Sequence, residues 1–216
     1  MSSLRSKLRL YLVTDRSWVD EKSLGQQVEE SFENGVTFLQ LREKHLDKDS
    51  FLALAKEMKI KAERYQVPFV INDAVDIAIE CDADGVHIGQ DDDCVAETRK
   101  RIGLDKILGV SVGTVEQAIK AEEEGADYLG VGAIFPTNTK GDATAIKIET
   151  LSEICQAVDV PVVAIGGIDI CNIDRLQDSG IHGVAVVSAI LAKKDCGDAA
   201  KNLRKKCDEL FGEMRD

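Results

Sequence analysis

Eight short apolar segments, rich in valine and isoleucine, recur along the chain and alternate with stretches that have helical periodicity. Each segment has the length and composition of a buried β-strand. Such an alternation predicts a parallel sheet covered by helices, because parallel strands need long crossover connections. The segments begin at Leu8, Thr37, Pro68, Gly85, Ile107, Tyr128, Pro161 and Gly183.

Eight helices are predicted beside these strands, over residues 21–34, 50–65, 75–81, 95–102, 115–124, 149–157, 172–178 and 198–211. Eight strands alternating with eight helices favour an α/β fold, a single (β/α)8 TIM barrel over residues 1–216. A weak internal repeat supports the barrel, since CDADGVHIG, EGADYLGVG and SGIHGVAVV each lead from a helix end into a strand. An open doubly wound sheet is the alternative, but its usual G-x-G-x-x-G turn is missing.

The charge balance argues against polyanionic partners. The chain has 27 Lys and Arg residues against 39 Asp and Glu residues, a net charge of −12, and only 5% aromatic residues. Such a composition favours neither nucleic acid nor an anionic membrane. No apolar run reaches the roughly 18 residues of a membrane helix, and the first residues resemble no signal peptide. We therefore expect a cytoplasmic protein without a membrane or nucleic-acid partner.

Cationic and polar side chains follow the second and sixth strands. In a TIM barrel such positions lie at the mouth where chemistry takes place. Alternation along a strand would place Gln40, Arg42 and Lys44 on its inner face, opposite Leu39 and Leu41. With Lys140 after the sixth strand, these groups predict an anion site. The alternative is a structural row in which the cations pair with Glu43 or Asp47.

Carboxylates follow the third and fourth strands. Asp73 and Asp92 come after adjacent strands, which lie about 4.8 Å apart, so both could reach one Mg²⁺. Asn72 and Asp73 would face opposite sides of a regular strand, so one of them must lie beyond its end. The alternative interpretation is that Asp73 caps the following helix, and that residues 91–93 complement a helix dipole.

A second anion site is predicted at the seventh and eighth strands. Gly166 and Gly167 allow close approach of a ligand to the backbone, and loops in this part of a TIM barrel often bind phosphate. A tight turn would equally explain the two glycines. The eighth strand is expected to carry Val187 and Ser188. The three histidines, His45, His87 and His182, are isolated in the sequence and are interpreted as structural or solvated.

Seven motifs in order carry a resemblance to the thiamine phosphate synthase family: QLREK, IND, GVHIGQDD, GVS, GAIFPTNTK, AIGGI and GVAVVSAI. The similarity extends from Tyr11 to Ala189. It implies a (β/α)8 barrel that uses Mg²⁺. It also implies a reaction in which 4-amino-2-methyl-5-hydroxymethylpyrimidine diphosphate (hereafter pyrimidine diphosphate) is joined to a thiazole phosphate. The products would be thiamine phosphate and diphosphate.

The resemblance also implies roles for individual residues. Asp73 and Asp92 would hold Mg²⁺, and Arg42, Ser111 and Lys140 would act in catalysis. Gly167, Val187 and Ser188 would bind the thiazole phosphate. The remaining substrate-binding positions, together with Arg42, Ser111 and Lys140, would be Gln40, Leu41, Glu43, Lys44, Asn72, Thr137, Asn138 and Thr139.

One departure and several alternatives accompany the resemblance. Many relatives have a histidine-threonine pair after the GVS motif, where this chain has Gly113 and Thr114. A thiazole tautomerase-like relative would not need the full set of cations and carboxylates. Sugar-phosphate decarboxylases of similar fold commonly show a D-x-K-x-x-D motif, which is absent here. A non-catalytic phosphate-binding barrel would not account for Asp73 and Asp92. The residues do not decide whether the chain forms a homo-oligomer or whether the thiazole substrate is carboxylated.

Overall fold

Eight parallel strands close into a barrel in which β8 pairs with β1. The computed structural model describes residues 4–19, 21–89, 94–137 and 145–212. Each strand lies between its neighbours in the chain order, so the predicted TIM barrel is confirmed and the open sheet is excluded. The strands are β1 (Leu10–Val13), β2 (Phe38–Leu41), β3 (Phe69–Asn72), β4 (Gly85–Ile88), β5 (Ile107–Val112), β6 (Tyr128–Val131), β7 (Val162–Ile165) and β8 (Gly183–Val186).

Helices surround the barrel, and within the described ranges none is long and apolar enough to cross a membrane. Two short 3₁₀ turns, Arg16–Trp18 and Ile173–Leu176, accompany them. The α-helices are α1 (Leu4–Lys7), α2 (Leu24–Glu33), α3 (Lys48–Tyr65), α4 (Val75–Glu80), α5 (Val95–Ile102), α6 (Val115–Glu123), α7 (Ile148–Ala157), α8 (Ser188–Leu191) and α9 (Cys196–Phe211).

Two sequence predictions near the end of the barrel were wrong. The helix expected over 172–178 is only the 3₁₀ turn Ile173–Leu176, because the Asn172 side chain bonds the backbone at Asp169 and Gly167 and competes with a regular helix. The eighth strand does not carry Val187 and Ser188. It ends at Val186, Val187 leaves the extended conformation, and Ser188 begins the short helix α8.

The core has two layers. An inner layer fills the barrel and includes Tyr11, Phe38 and Tyr128. A larger outer layer lies between the strands and the helices, and it contains Leu39 and Leu41. Residues of β2 therefore alternate between the layers as predicted from the sequence, and Gln40 belongs to the interior.

A histidine before β8 makes stability depend on pH. His182 Nδ1 accepts a hydrogen bond from the Val162 amide at 3.2 Å. Burial, with the nearby charges of Arg5 and Arg9, lowers the pKa of His182 to about 4. In the unfolded chain this histidine has a pKa of about 6.5, so between about pH 6.5 and pH 4 it binds a proton that it does not bind in the folded chain. This contribution to stability is therefore complete above about pH 6.5 and is lost as the pH falls towards 4.

We expect the wild-type free energy of unfolding to fall by about 1–2 kcal/mol more than that of His182→Asn between about pH 7.5 and about pH 5. Asparagine keeps an acceptor for Val162 but does not titrate. Urea unfolding of both proteins at the two pH values measures the difference. Equal losses in the two proteins would show that His182 does not protonate on unfolding.

Candidate active site

The end of β2 is held by the end of β1. The Arg42 amide donates to Thr14 Oγ1 at 2.9 Å, and Thr14 is fully buried. Because β2 stops at Leu41, the predicted alternation does not extend to Arg42 and Lys44, which lie in the following loop. Thr14 was missed in the sequence analysis, although its position directly after an apolar strand segment is a usable signal.

Two cationic residues beyond β2, Arg42 and Lys44, have side chains without a partner among the described residues. The half-buried Arg42 and the exposed Lys44 make no side-chain hydrogen bond or ion pair with any residue that the structure describes. The carboxylates expected to pair with them are engaged elsewhere. Glu43 lies 3.8 Å from Arg16, and Asp47 caps helix α3. The structural ion-paired row therefore has no support among the described residues, and the anion-site interpretation is favoured.

The other two residues of this segment differ from the cations. Leu41 is fully buried in the outer core, so only its backbone is available to a ligand in the barrel mouth. The Glu43 side chain is 4% exposed, and burial raises the pKa of its carboxyl group. Its Oε1 accepts no hydrogen bond from a described residue. Neither side chain is suited to direct contact with a diphosphate.

Asn72 and Asp73 meet at the end of β3. The strand ends at Asn72, and Asp73 adopts a left-handed backbone with a φ of 60°, beyond the strand as the sequence predicted. The Asn72 amide donates to the Asp73 carboxylate, and the Asp73 amide donates to the His87 carbonyl at 2.8 Å. Helix α4 has Ala74 as its N-cap residue. The alternative that Asp73 caps this helix is therefore wrong.

Part of the predicted site lies outside the described residues. Asp92, Asn138, Thr139 and Lys140 belong to this group, so their roles stay predictions. Thr137, which is half-buried, is the last described residue before the gap at residues 138–144. The described part of the chain contains no group of three or more His, Cys, Asp or Glu side chains arranged to hold a metal.

A hydrogen-bonded chain of side chains crosses the barrel interior. Gln40 Nε2 donates to the Tyr11 hydroxyl at 2.6 Å, and the Tyr11 and Tyr128 hydroxyls lie 2.8 Å apart. His87 contacts the Tyr128 hydroxyl through Nδ1 and Ser111 Oγ through Nε2, each at 2.9 Å. His87 is thus buried and linked to a predicted substrate-binding residue. Its inward orientation could have been read from the apolar Val86 and Ile88 on either side.

Backbone contacts with the loop after β6 explain the two glycines after β7. The φ angles of Gly166 and Gly167 are 98° and 62°, a region that favours glycine. The Phe135 amide donates to the Gly166 carbonyl at 3.0 Å. A Cβ on Gly167 would lie 2.4 Å from the Pro136 carbonyl oxygen. The tight-turn interpretation therefore accounts for both glycines without a ligand, and any phosphate contact of Gly167 stays a prediction.

We expect Gly167→Ala to lower the free energy of unfolding by about 2–4 kcal/mol, from the left-handed backbone and the clash with the neighbouring loop. Gly113→Ala is the control, because its φ is not in the left-handed region and its Cβ would have only ordinary contacts, the nearest at 3.5 Å. Its effect should stay within about 0.5 kcal/mol. Denaturant unfolding measures both, and similar values for the two variants would contradict the explanation.

Comparisons with known proteins agree with the geometry. The sequence profile described as thiamine monophosphate synthase matches residues 10–190. The chain belongs to this family. The thiamine-phosphate synthase of Clostridium tetani is 50% identical over 203 residues, which are 94% of each chain. That of Methanobrevibacter smithii is 50% identical over 198 residues, 92% of this chain and 94% of the relative. The resemblance predicted from the motifs is therefore confirmed.

A solved structure extends the family assignment to the whole barrel. The thiamine phosphate pyrophosphorylase from Pyrococcus furiosus superposes with a TM-score of 0.90 at 38% identity, covering 97% of this chain and all of the other. The enzyme class expected from the sequence, a transferase of the thiamine monophosphate synthase family, is confirmed with it.

The departure from the family pattern at Gly113 does not disturb the fold. The Gly113 amide donates to Gln117 Oε1 at 2.7 Å, close to the start of helix α6. A Cβ at this position would have only ordinary contacts with its neighbours, the nearest at 3.5 Å. The backbone at Gly113 therefore does not itself require glycine.

Proposed function

We propose that the chain is a thiamine-phosphate synthase that joins pyrimidine diphosphate to thiazole phosphate. The observation that carries this proposal is that the cationic side chains of Arg42 and Lys44, beyond β2, have no hydrogen bond or ion pair with a described residue. Guanidinium and ammonium groups that have no partner among the described residues are suited to bind phosphate oxygens. Gln40, deeper in the same strand end, would contact the pyrimidine ring.

The reaction begins with the departure of diphosphate. The bond between the pyrimidine methylene carbon and the diphosphate oxygen breaks, and its electron pair leaves with the oxygen. The thiazole nitrogen then donates its lone pair to the methylene cation. The role of the chain is to neutralise the growing charge of the diphosphate and to align the nucleophile. Arg42, Lys44 and Lys140 would do the first, with hydroxyls of Thr137 and Thr139.

Mg²⁺ would assist at the same mouth. Asp73, at a strand end adjacent to β4, would supply the carboxylate oxygen that this hard cation prefers. Asp92, which follows β4 in the sequence, would supply a second carboxylate. When bound, the ion would offset the negative charge of the diphosphate. The Asn72 amide, which donates to Asp73, would hold that carboxylate in place.

The thiazole phosphate would bind on the other side of the mouth, at Gly167, Val187 and Ser188. Support comes from the family's motifs and from the position of these residues at the ends of β7 and β8. Both substrates are small soluble molecules, and we place the enzyme in the cytoplasm. No observation on the described residues favours a tautomerase or a non-catalytic phosphate-binding function.

A coupling assay tests the proposal. Purified protein is mixed with pyrimidine diphosphate, thiazole phosphate and Mg²⁺, and thiamine phosphate and diphosphate are quantified. Equal amounts of the two products are expected, and none when either substrate is omitted. Conversion of a thiazole isomer without coupling would instead indicate a tautomerase. Binding of phosphate compounds without any turnover would indicate a non-catalytic protein.

A further inference from the structure

The hydrogen-bonded chain in the barrel interior joins two predicted substrate-binding residues that lie on different strands. Gln40 of β2 is linked to Ser111 of β5 through Tyr11 of β1, Tyr128 of β6 and His87 of β4. Its four contacts measure 2.6 to 2.9 Å. Except for Ser111, which is half-buried, every member is at most 7% exposed.

The barrel is shaped to hold this chain. Gly109 of β5 and Gly130 of β6 leave space for the Tyr128 and His87 side chains. A Cβ on Gly109 would lie 2.2 Å from Tyr128 Cζ and 2.5 Å from His87 Nδ1. A Cβ on Gly130 would lie 3.2 Å from His87 Cε1. The two tyrosines also pack edge to face, with ring centroids 5.9 Å apart. The two glycines therefore make room in the barrel interior for the Tyr128 and His87 side chains.

The direction of each hydrogen bond depends on the others. A hydroxyl has one hydrogen, and a neutral imidazole has one N–H. When the Gln40 amide donates to Tyr11, Tyr11 donates to Tyr128 and Tyr128 donates to His87 Nδ1. His87 then carries its hydrogen on Nε2 and donates to Ser111. In this direction the Gln40 oxygen remains an acceptor, and the Ser111 hydrogen is not used by His87.

Turning the Gln40 amide over reverses every bond. Ser111 then donates to His87, and the Gln40 oxygen accepts from Tyr11, so that Gln40 presents N–H donors and Ser111 an oxygen acceptor. In the first direction Gln40 can offer a ligand an acceptor while Ser111 offers a donor, and in the second Gln40 can offer a donor while Ser111 offers an acceptor. An aminopyrimidine has this complementary pattern on one edge, because its amino group is a donor and the adjacent ring nitrogen is an acceptor.

We propose that Tyr11, Tyr128 and His87 are positioning residues that hold Gln40 and Ser111 and keep their donor and acceptor roles complementary for an aminopyrimidine edge. The proposal rests on the proposed function, since it concerns the pyrimidine half of the same substrate. It predicts that the three residues affect recognition of the ring and leave binding of the diphosphate group unchanged.

The test compares two ligands by titration calorimetry in the presence of Mg²⁺. Tyr128→Phe should weaken binding of pyrimidine diphosphate by about tenfold, the effect of one lost hydrogen bond. Its affinity for inorganic diphosphate should stay within about twofold of wild type. The control is Tyr65→Phe, because Tyr65 lies on helix α3 and its hydroxyl donates to Glu33. That variant should change neither affinity.

A double-mutant cycle adds a measurement that a purely structural role would not move. In a Ser111→Ala background, Tyr128→Phe should weaken pyrimidine diphosphate binding by clearly less than tenfold, because only the Gln40 end of the chain is left to be affected. A repeated tenfold loss would overturn the proposal. So would parallel weakening of both ligands, or an unchanged affinity for pyrimidine diphosphate.

Two further results separate this proposal from the proposed function. If Tyr128→Phe does not fold, Tyr11→Phe is measured instead, since it removes the contact of Gln40 and leaves the link from Tyr128 to Ser111. The same selective weakening of pyrimidine diphosphate is expected, and its absence would overturn the proposal. If the wild type binds pyrimidine diphosphate and forms thiamine phosphate, the proposed function stands even when the positioning proposal fails. If the wild type does not bind pyrimidine diphosphate, both the proposed function and the positioning proposal are overturned.

Discussion

Replacing Arg42 with alanine is expected to lower kcat/KM for pyrimidine diphosphate by about 10²–10³, the usual effect of removing one donor aimed at developing charge. The guanidinium makes no hydrogen bond or ion pair with the described residues, and the proposed function assigns it to the diphosphate. For the same reason the melting temperature should change little. Steady-state kinetics with each substrate varied in turn, together with thermal unfolding, measures both effects.

Two comparisons sharpen this prediction. Arg42→Lys keeps the charge but loses the two-pronged geometry of the guanidinium, so it should recover only part of the activity. Arg64→Ala is the matched control, because Arg64 is on helix α3, is largely exposed and pairs with Glu29. Near wild-type kcat/KM in a folded Arg42→Ala protein would remove Arg42 from the site.

Removing Mg²⁺ with excess chelator is expected to reduce turnover below detection, and readdition of the metal should restore it. Asp73→Asn should raise the Mg²⁺ concentration needed for half-maximal activity by at least about tenfold. The loss of even an outer partner of a metal ligand lowers affinity by about 10–100-fold. Mg²⁺ titrations of turnover for wild type and variant give the two values.

The control for this prediction is Asp76→Asn. Asp76 lies in the first turn of helix α4, is largely exposed and pairs with Arg101. It would share any general effect of a carboxylate near that helix, but it is not a predicted ligand. Equal shifts in the Mg²⁺ requirement of both variants would point to such a general effect, and full activity in excess chelator would rule out the metal.

The barrel could be predicted because each strand and helix is indicated by a pattern within a few consecutive residues. Each strand is a short apolar segment, and alternation along β2 separates Leu39 and Leu41 from Gln40. The end of that strand depends on a residue that is distant in sequence, since Thr14, which directly follows the neighbouring strand β1, accepts a hydrogen bond from the Arg42 amide. The predicted row of inner side chains was therefore too long, and the anion site inferred from the charge of its members stays a prediction.

Contacts between distant segments explain what the sequence did not predict. Tyr11 and Tyr128 are 117 positions apart, and neither lies in a recognisable motif that would join it to Gln40. His87 was interpreted as isolated because its partners, Tyr128 and Ser111, come from other strands. Likewise, the conformation of Gly167 depends on the carbonyl groups of the β6 loop that it faces.

A structure of the protein with pyrimidine diphosphate and Mg²⁺ bound, in the absence of thiazole phosphate, tests the central claim most directly. We expect diphosphate oxygens within hydrogen-bonding distance of Arg42 and Lys44, and the amino edge of the pyrimidine against Gln40 and Ser111. A diphosphate bound away from both cations would contradict the account, whatever the activity of the protein.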